Sequence, residues 1–451
     1  MAKLFGTDGV RGVANRQLTA ELAYKLGRAG AYVLASQVQD RKPVILIGRD
    51  TRISGHMLEG ALTAGICSVG GNAVRLGVIP TPAVAYLTRA LGADAGAMIS
   101  ASHNPVEDNG IKYFSSTGYK LPDAIEVEIE ALVAGAEDSM PFPVGKELGL
   151  AKDFDAALER YVEFAKNTVD MRLDGVKVVV DCAHGAAYEA APRALRELGA
   201  EVVAIYNQPD GTNINENCGS THPQKLQEAV LKYGAHLGIA HDGDADRMMA
   251  VDEKGQLVDG DQVMVACALY LKEKGQLEDN SLVVTVMSNM GLYAALDKAG
   301  IKTYQTRVGD RYVLEKMLET GSILGGEQSG HIIFLKHNTT GDGLVTALQM
   351  MQVMVDKGRP LSELAAQMEV YPQVLVNARV QNKEQVMASQ VFQARVKEAE
   401  QKLKREGRVL VRPSGTEALI RVMLEGPDKD LIGRMAKELA LEAERLDQSI
   451  R

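Results

Sequence analysis

Three short runs of this chain, 43–50 (PVILIGRD), 176–181 (VKVVVD) and 281–289 (SLVVTVMSN), are continuously apolar and β-branched, and each ends at a polar residue. A strand with one face in water alternates apolar and polar residues, so an unbroken run predicts burial on both faces and hence a parallel sheet. Each run is followed, beyond a helix-compatible stretch, by a second candidate strand (73–79, 201–206, 301–308) and then a third (95–100, 236–240, 322–325). Strand–helix–strand–helix–strand is the α/β pattern, and here it recurs three times with little sequence identity between copies. The expected architecture is three similar α/β domains with mixed, mainly parallel sheets around a central cleft, plus a smaller α+β C-terminal domain.

Composition suggests the boundaries. The 451-residue length suggests about three domains, and 46% apolar content supplies their cores. The glycine-, proline- and charge-rich stretch 134–152 reads as a linker, with further breaks near 258–261 and 370–373. These give expected domains 1–150, 151–258, 259–369 and 370–451. The last contains a strand at 374–380, a helical charged stretch at 383–405, strands at 408–412 and 418–425 and a final helix from 428 to about 446. The basic cluster 402–408 reads as a solvated helix end, and Met350, Met351 and Met354 as helix packing.

Open parallel sheets bind ligands just beyond the carboxyl ends of their strands. The three third strands run into 100–105 (SASHNP), 242–247 (DGDADR) and 326–331 (GEQSGH). In the second loop Asp242, Asp244 and Asp246 alternate, a spacing that lets carboxylates converge on one hard cation such as Mg²⁺, Mn²⁺ or Ca²⁺. An EF-hand shares this start, and Glu253 falls at its twelfth position. However, Arg247 occupies the sixth position, where that loop needs glycine, and the flanks read as strands. A merely solvated acidic loop is the plainer alternative.

Ser102 admits three readings. A hydrolase serine lacks a visible Gly-x-Ser-x-Gly elbow and triad partners; a turn serine is the bland case; and a phosphoryl-carrying serine would let phosphate oxygens complete the coordination begun by the three aspartates. His103 and Lys112 flank an Asn-Gly turn and could move a proton or touch phosphate, or simply be structural. Arg247, beside the acids, suits the oxygens of a transferring phosphate. The segment 6–12 (GTDGVRG) carries Arg11 but does not match the nucleotide-binding P-loop, so ATP-dependent phosphorylation lacks support. Glu327, Gln328 and Ser329 lie among glycines suited to sugar hydroxyls, and His331 could join them or pack in the core. Finally, 412–417 (RPSGTE), with Arg412, Ser414, Gly415, Thr416 and Arg421 on the next strand, offers a nest of donors for phosphate.

With 24% charged residues and a net charge of −9, a broad basic face for nucleic acid is not expected. Four scattered cysteines without CxxC spacing argue against zinc and disulfides, and no apolar run reaches membrane-spanning length. The opening MAKLFGTDG has no apolar h-region, which makes the cytoplasm the expected location.

These loops, in this order, resemble the α-D-phosphohexomutase superfamily over essentially the whole chain. The opening GTDGVRG, the ASHNP form of the serine loop, 307–311 (RVGDR) and GEQSGH resemble its glucosamine branch rather than the phosphomannomutase/phosphoglucomutase branch. The resemblance implies an isomerase that interconverts glucosamine 6-phosphate and glucosamine 1-phosphate through a 1,6-bisphosphate, feeding UDP-N-acetylglucosamine and cell-wall synthesis. It implies Ser102 as a phosphoserine, one Mg²⁺ held by Ser102, Asp242, Asp244 and Asp246, and a sugar-recognition loop at 326–330. It further implies a phosphate loop at 412–417 and closure of the last domain over the substrate. First phosphorylation of Ser102 would come from a sugar 1,6-bisphosphate activator or a kinase, and a homodimer is a further expectation. A metal-dependent sugar phosphatase, or a silent sugar-phosphate sensor, would use the same acids without needing phosphate on Ser102.

Overall fold

The computed structural model describes residues 4–6, 8–34, 38, 40–135, 138–404, 406–414 and 418–450, which form two compact units. One comprises 1–287 with 299–367, and the other 288–298 with 368–451. Among the described residues no helix is long and apolar enough to cross a membrane, and all four cysteines are free thiols.

Three sheets of the larger unit repeat one arrangement. Its central strand is the continuous apolar run: Val44–Arg49, Lys177–Asp181 or Ser281–Thr285. The second strand lies parallel on one side (Asn72–Val78, Glu201–Ile205, Lys302–Thr306), and the third lies parallel on the other (Ala95–Ile99, Leu237–His241, Leu324–Gly326). Burial explains the absence of alternation: Val178, Val179 and Val180 are all fully enclosed, each worth about 1.5–3 kcal/mol on transfer from water. The order second–first–third reverses the direction of winding at the first strand, which opens a crevice beyond the carboxyl ends of the first and third strands.

Each third strand then turns into a fourth that runs back antiparallel: Asp108–Ser115, Met248–Asp252 and Ile332–Phe334. The sequence reading anticipates only the middle one. The three unusual loops are therefore the tips of these returns, anchored at both ends by sheet hydrogen bonds. In the first sheet Val10–Val13 extends the return strand, and Ala151–Asp153 pairs parallel with Asn72–Val78 on the opposite edge. Residues 151–153, assigned by composition to the following domain, thus complete the first sheet.

The smaller unit has a three-stranded antiparallel sheet with Leu419–Glu425 between Gln373–Arg379 and Arg408–Pro413. Its sheet and the helices Gln390–Leu403 and Lys429–Ile450 share a core that includes Phe392, Val422, Leu424, Ile432 and Ala436. The helix Met290–Lys298, which sequence order places in the preceding α/β unit, belongs here. The Met290 N–H donates to Glu425 Oε1 at 2.7 Å and the Asn289 amide to the Tyr371 carbonyl at 2.9 Å. Glu425, fully buried, also pairs with Arg408 at 2.6 Å, so its charge is balanced where water cannot reach it.

Candidate active site

The serine loop leaves Ala95–Ile99 with Ser102 in the left-handed region (φ 51°), a backbone conformation that few residues other than glycine adopt. Ser102 is 1% exposed. Its hydroxyl donates to Asp242 Oδ2 at 2.5 Å, across two sheets and 140 residues of sequence. The third strands of the first and second α/β units therefore deliver the hydroxyl and the acids to one point, as the repeat pattern predicts.

Asp242, Asp244 and Asp246 are buried, with one oxygen from each lying within 4.8 Å of the others. Asp244 Oδ2 accepts from Thr81 Oγ1 (2.6 Å) and Lys112 Nζ (2.8 Å). Asp244 Oδ1 and Asp246 Oδ1, although enclosed, have no hydrogen-bond partner. Orphaned buried carboxylate oxygens are costly. Two of them beside Asp242 and a serine hydroxyl, with no histidine or cysteine among the donors, fit a hard divalent cation. The four residues expected to hold a metal thus converge.

The surrounding charges are layered. Burial would push the Asp8 carboxyl up, but Lys112 at 3.1 Å and Lys120 at 2.6 Å, together with Arg11, hold it well below its ordinary value. Burial would likewise favour neutral Lys112, yet Asp244, Asp8 and Asp246 raise its pKa above that of a free lysine. Lys112 is therefore a fixed cation among three carboxylates, and of the two roles read from sequence the geometry favours counter-charge over proton acceptor. Lys120 also pairs with Asp310. Asp242 shifts upward, first by burial and then by Asp246 and Asp244. Asp246 is held low, because His331 and Lys112 overcome the effect of its burial.

His331 is placed differently from the sugar-contact reading. It is 2% exposed, with Nδ1 3.6 Å from Asp246 and Nε2 3.5 Å from Asp310, so it backs a metal-loop carboxylate instead of facing a ligand. The sequence signal was ambiguous, since a histidine closing a glycine-rich loop can point either way. Glu327, Gln328 and Ser329 are the more accessible members of that loop. Glu327 Oε1 accepts from the Gly309 N–H at 3.1 Å, which joins the loop to the segment bearing Asp310. The Met248 N–H donates to the Gly330 carbonyl at 3.0 Å, tying it to the return strand of the aspartate loop.

Arg247 Nη1 donates to His103 Nδ1 at 3.3 Å, and that nitrogen lies 3.4 Å from the Ser102 hydroxyl. Burial, then Arg247 and Arg11, bring His103 down to about 4. Arg11 pairs with Asp8, so both arginines named from sequence lie in the charge cluster around the acids. Thr81, Asp8, Lys120 and Asp310 were not singled out from sequence. Asp8 and Asp310 stand inside motifs noted there, GTDGVRG and RVGDR, but only the fold shows both pairing with Lys120.

In the smaller unit Arg412 and Arg421 are direct partners across antiparallel strands, which puts both side chains on one face. Two guanidinium groups on one face supply fork-shaped donors of the kind that suit a phosphate. Ser414 is buried and its N–H donates to the Leu419 carbonyl. Gly415 and Thr416 lie outside the described residues.

Known proteins carry the same arrangement. Residues 2–140, 159–255, 259–371 and 375–442 match, in order, α/β/α domains I, II and III and the C-terminal domain of the phosphoglucomutase/phosphomannomutase family. A phosphoglucosamine mutase of Carboxydothermus hydrogenoformans is 61% identical over 446 residues, covering 99% of this chain and 100% of that one. Another, from Moorella thermoacetica, is 62% identical over 430 residues, covering 95% and 96%. The crystal structure of a phosphoglucomutase/phosphomannomutase family protein from Burkholderia thailandensis superposes with a TM-score of 0.81 at 24% identity, covering 98% of each chain. At such identity over nearly the full length, the chain belongs to the phosphoglucosamine mutases of the α-D-phosphohexomutase superfamily.

Proposed function

We propose that this isomerase interconverts glucosamine 6-phosphate and glucosamine 1-phosphate by cycling one phosphoryl group through Ser102. The observation that carries this reading is the Ser102 hydroxyl lying against Asp242 among buried carboxylates, two of whose oxygens accept no hydrogen bond. In the forward half-reaction the free hydroxyl of the bound monophosphate attacks the phosphorus of phosphoserine. A new sugar O–P bond forms, the P–Oγ bond of Ser102 breaks, and the proton lost by the sugar hydroxyl ends on Ser102 Oγ. The resulting 1,6-bisphosphate reorients and returns its other phosphoryl group to Ser102 by the reverse of the same steps.

The chain's own residues support each stage. Asp242, Asp244 and Asp246 would hold one Mg²⁺, which when bound neutralises charge developing at the phosphoryl oxygens and at Ser102 Oγ. Arg247 and Arg11 supply fixed positive charge for the group in transit, with Lys112 as counter-charge to the acids. His103, beside the hydroxyl, stands where a proton is exchanged. Glu327 and Ser329 would orient the sugar, and Arg412, Ser414, Gly415, Thr416 and Arg421 would grip whichever phosphate is not reacting. A loop able to take either phosphate suits a substrate that must bind in two orientations. The first phosphate would come from a sugar 1,6-bisphosphate or a kinase.

Intact mass of the purified protein tests the reading, combined with turnover of glucosamine, N-acetylglucosamine, glucose and mannose phosphates. The expected result is a species one phosphoryl group heavier that is absent in Ser102→Ala, and a preference for glucosamine phosphate that Ser102→Ala abolishes. Release of inorganic phosphate without isomerisation would instead indicate a phosphatase.

A further inference from the structure

Two residues that bind no reactant in this scheme control where Ser102 stands. Arg52 and Asp50 are completely buried and paired at 2.9 Å. The Arg52 guanidinium donates to the carbonyls of Ser102 (2.9 Å), Asn104 (2.8 Å), Pro105 and Asp108 (3.1 Å). Three carbonyls of the serine loop and the first of its return strand are thus gathered on one cation. Asp50 Oδ2 meanwhile accepts from the Ser100 hydroxyl at 2.6 Å, and Ser100 Oγ accepts the Ser102 N–H at 2.9 Å. The N–H and the C=O of Ser102 are thus each one link away from the same buried carboxylate.

A second clamp comes from the neighbouring α/β unit. Asn215 Nδ2 donates to the Ser102 carbonyl at 2.9 Å and the Asn104 carbonyl at 3.0 Å, the same two oxygens that Arg52 holds. A carbonyl has two lone pairs, so each of these accepts one bond from its own unit and one from the unit that carries Asp242. The peptide after Ser102 is therefore fixed in two directions, and its link to the aspartate unit does not depend on the side chains that react.

We infer that Asp50, Arg52 and Asn215 are positioning residues for phosphoryl transfer: together they hold Ser102 in its left-handed conformation with Oγ on Asp242. They also turn carbonyl oxygens toward a cation, where their partial negative charge is offset before a phosphate dianion is carried on the same loop. The inference rests on the phosphoserine reading above. Arginine is required because a planar fork can serve several oxygens at once, which lysine's single ammonium cannot do with the same geometry.

The test uses the full-length protein with Arg52→Lys and Asn215→Ala, measuring kcat and KM for glucosamine 6-phosphate, phosphoryl occupancy of Ser102 by intact mass after incubation with glucose 1,6-bisphosphate, and thermal unfolding. Arg52→Lys keeps the charge beside Asp50, and Asn215→Ala removes a partly buried amide and leaves alanine in a left-handed backbone (φ 60°), so both are expected to fold with a lowered melting temperature that is read apart from kcat. Misplacement on the scale of an ångström lowers kcat by about 10- to 100-fold with KM within about twofold, and slows phosphorylation of Ser102. A role in stability alone predicts lower melting temperatures with wild-type kcat per folded molecule, and rescue by lysine. Either result overturns the inference, as does a loss expressed in KM alone. If Arg52→Lys does not fold, Asn215→Ala decides. The wild-type and Ser102→Ala arms separate the two levels: a wild type without phosphoserine sinks both readings, whereas a phosphorylated wild type beside fully active clamp variants sinks only the clamp.

Discussion

Gly243 offers a direct measure of how tightly the serine and aspartate loops must meet. A Cβ at this position would lie 2.5 Å from the Ser102 carbonyl oxygen and 2.9 Å from both Asn215 Nδ2 and Ile214 Cδ1. The backbone at Gly243 is outside the positive-φ region, so alanine meets a problem of space and not of conformation. An unstrained C···O approach is about 3.3–3.6 Å, so the loops must separate by roughly 0.8–1.1 Å to admit one methyl group. The nearest obstacle is backbone held by Arg52 and Asn215, which cannot swing aside as a side chain tip would. Overpacking of this kind costs about 1–3 kcal/mol, and a displacement near 1 Å between reacting groups costs about 100-fold in rate. Gly243→Ala is therefore expected to remain folded, with a modestly lowered melting temperature, and to lose about two orders of magnitude in kcat. The assay is steady-state turnover of glucosamine 6-phosphate alongside Ser102 occupancy by mass. A variant with kcat within threefold of wild type would refute the argument, because the loops would then not need the separation seen here.

Four further outcomes are expected. Asp244→Asn, which keeps the hydrogen bond from Thr81 while removing a charge from the acidic cluster, should weaken Mn²⁺ binding as read by electron paramagnetic resonance; unchanged binding would exclude the triad as the cation site. Lys112→Met leaves buried Asp244 without its paired cation, while Asp8 keeps Lys120 and Arg11, and should destabilise the fold by about 3–5 kcal/mol in chemical denaturation, whereas a change below about 1 kcal/mol would mean the cluster is wetter than its burial implies. Asp181 accepts from the Ala183 and Gly219 N–H groups and is pushed up to about 6, chiefly by burial. Its folded pKa is raised, so its stabilising share is present at low pH and is lost as pH climbs through about 6. The margin of wild type over Asp181→Asn should shrink by up to about 3 kcal/mol between pH 4 and 8, and a margin that grows with pH would reverse this assignment. Chelation before assay should abolish turnover and restoration of Mg²⁺ should return it, with persistent activity counting against a metal-assisted transfer.

The repeat was readable because burial on both faces suppresses alternation, and that signal is local to each strand. The aspartates and Ser102 were readable because their loops interrupt such strands with residues that make poor sheet. Arg52 and Asp50 were not, although they sit only two residues apart at the end of the first strand. Their partners Ser100, Ser102 and Asn104 lie some fifty residues away, and an arginine in a polar strand end looks solvated until the fold encloses it. Asn215 belongs to an irregular segment with no periodicity to read. Lys120 gains its meaning only from Asp8 and Asp310, which lie 112 and 190 residues from it. The grouping of Met290–Lys298 with the smaller unit was not legible for a related reason: local pattern identifies a helix but not which core it joins. His331 shows the same limit within a correctly located loop.

The hydroxyl, the acids and the charge pairs around them come from three stretches of chain that are made at different times. Ser102 leaves the ribosome well before Asp242, and Asp242 before Asp310 and His331, whose pairs with Lys120 and Asp246 complete the buried cluster. An amino-terminal unit that folds as it emerges presents its serine without the carboxylates that would accept its proton or share a cation with it. The buried cluster is therefore complete only once residues as far as His331 have been synthesised and docked. Synthesis order thus sets when the hydroxyl first meets its acids, and the charge balance of the site belongs to the finished chain alone.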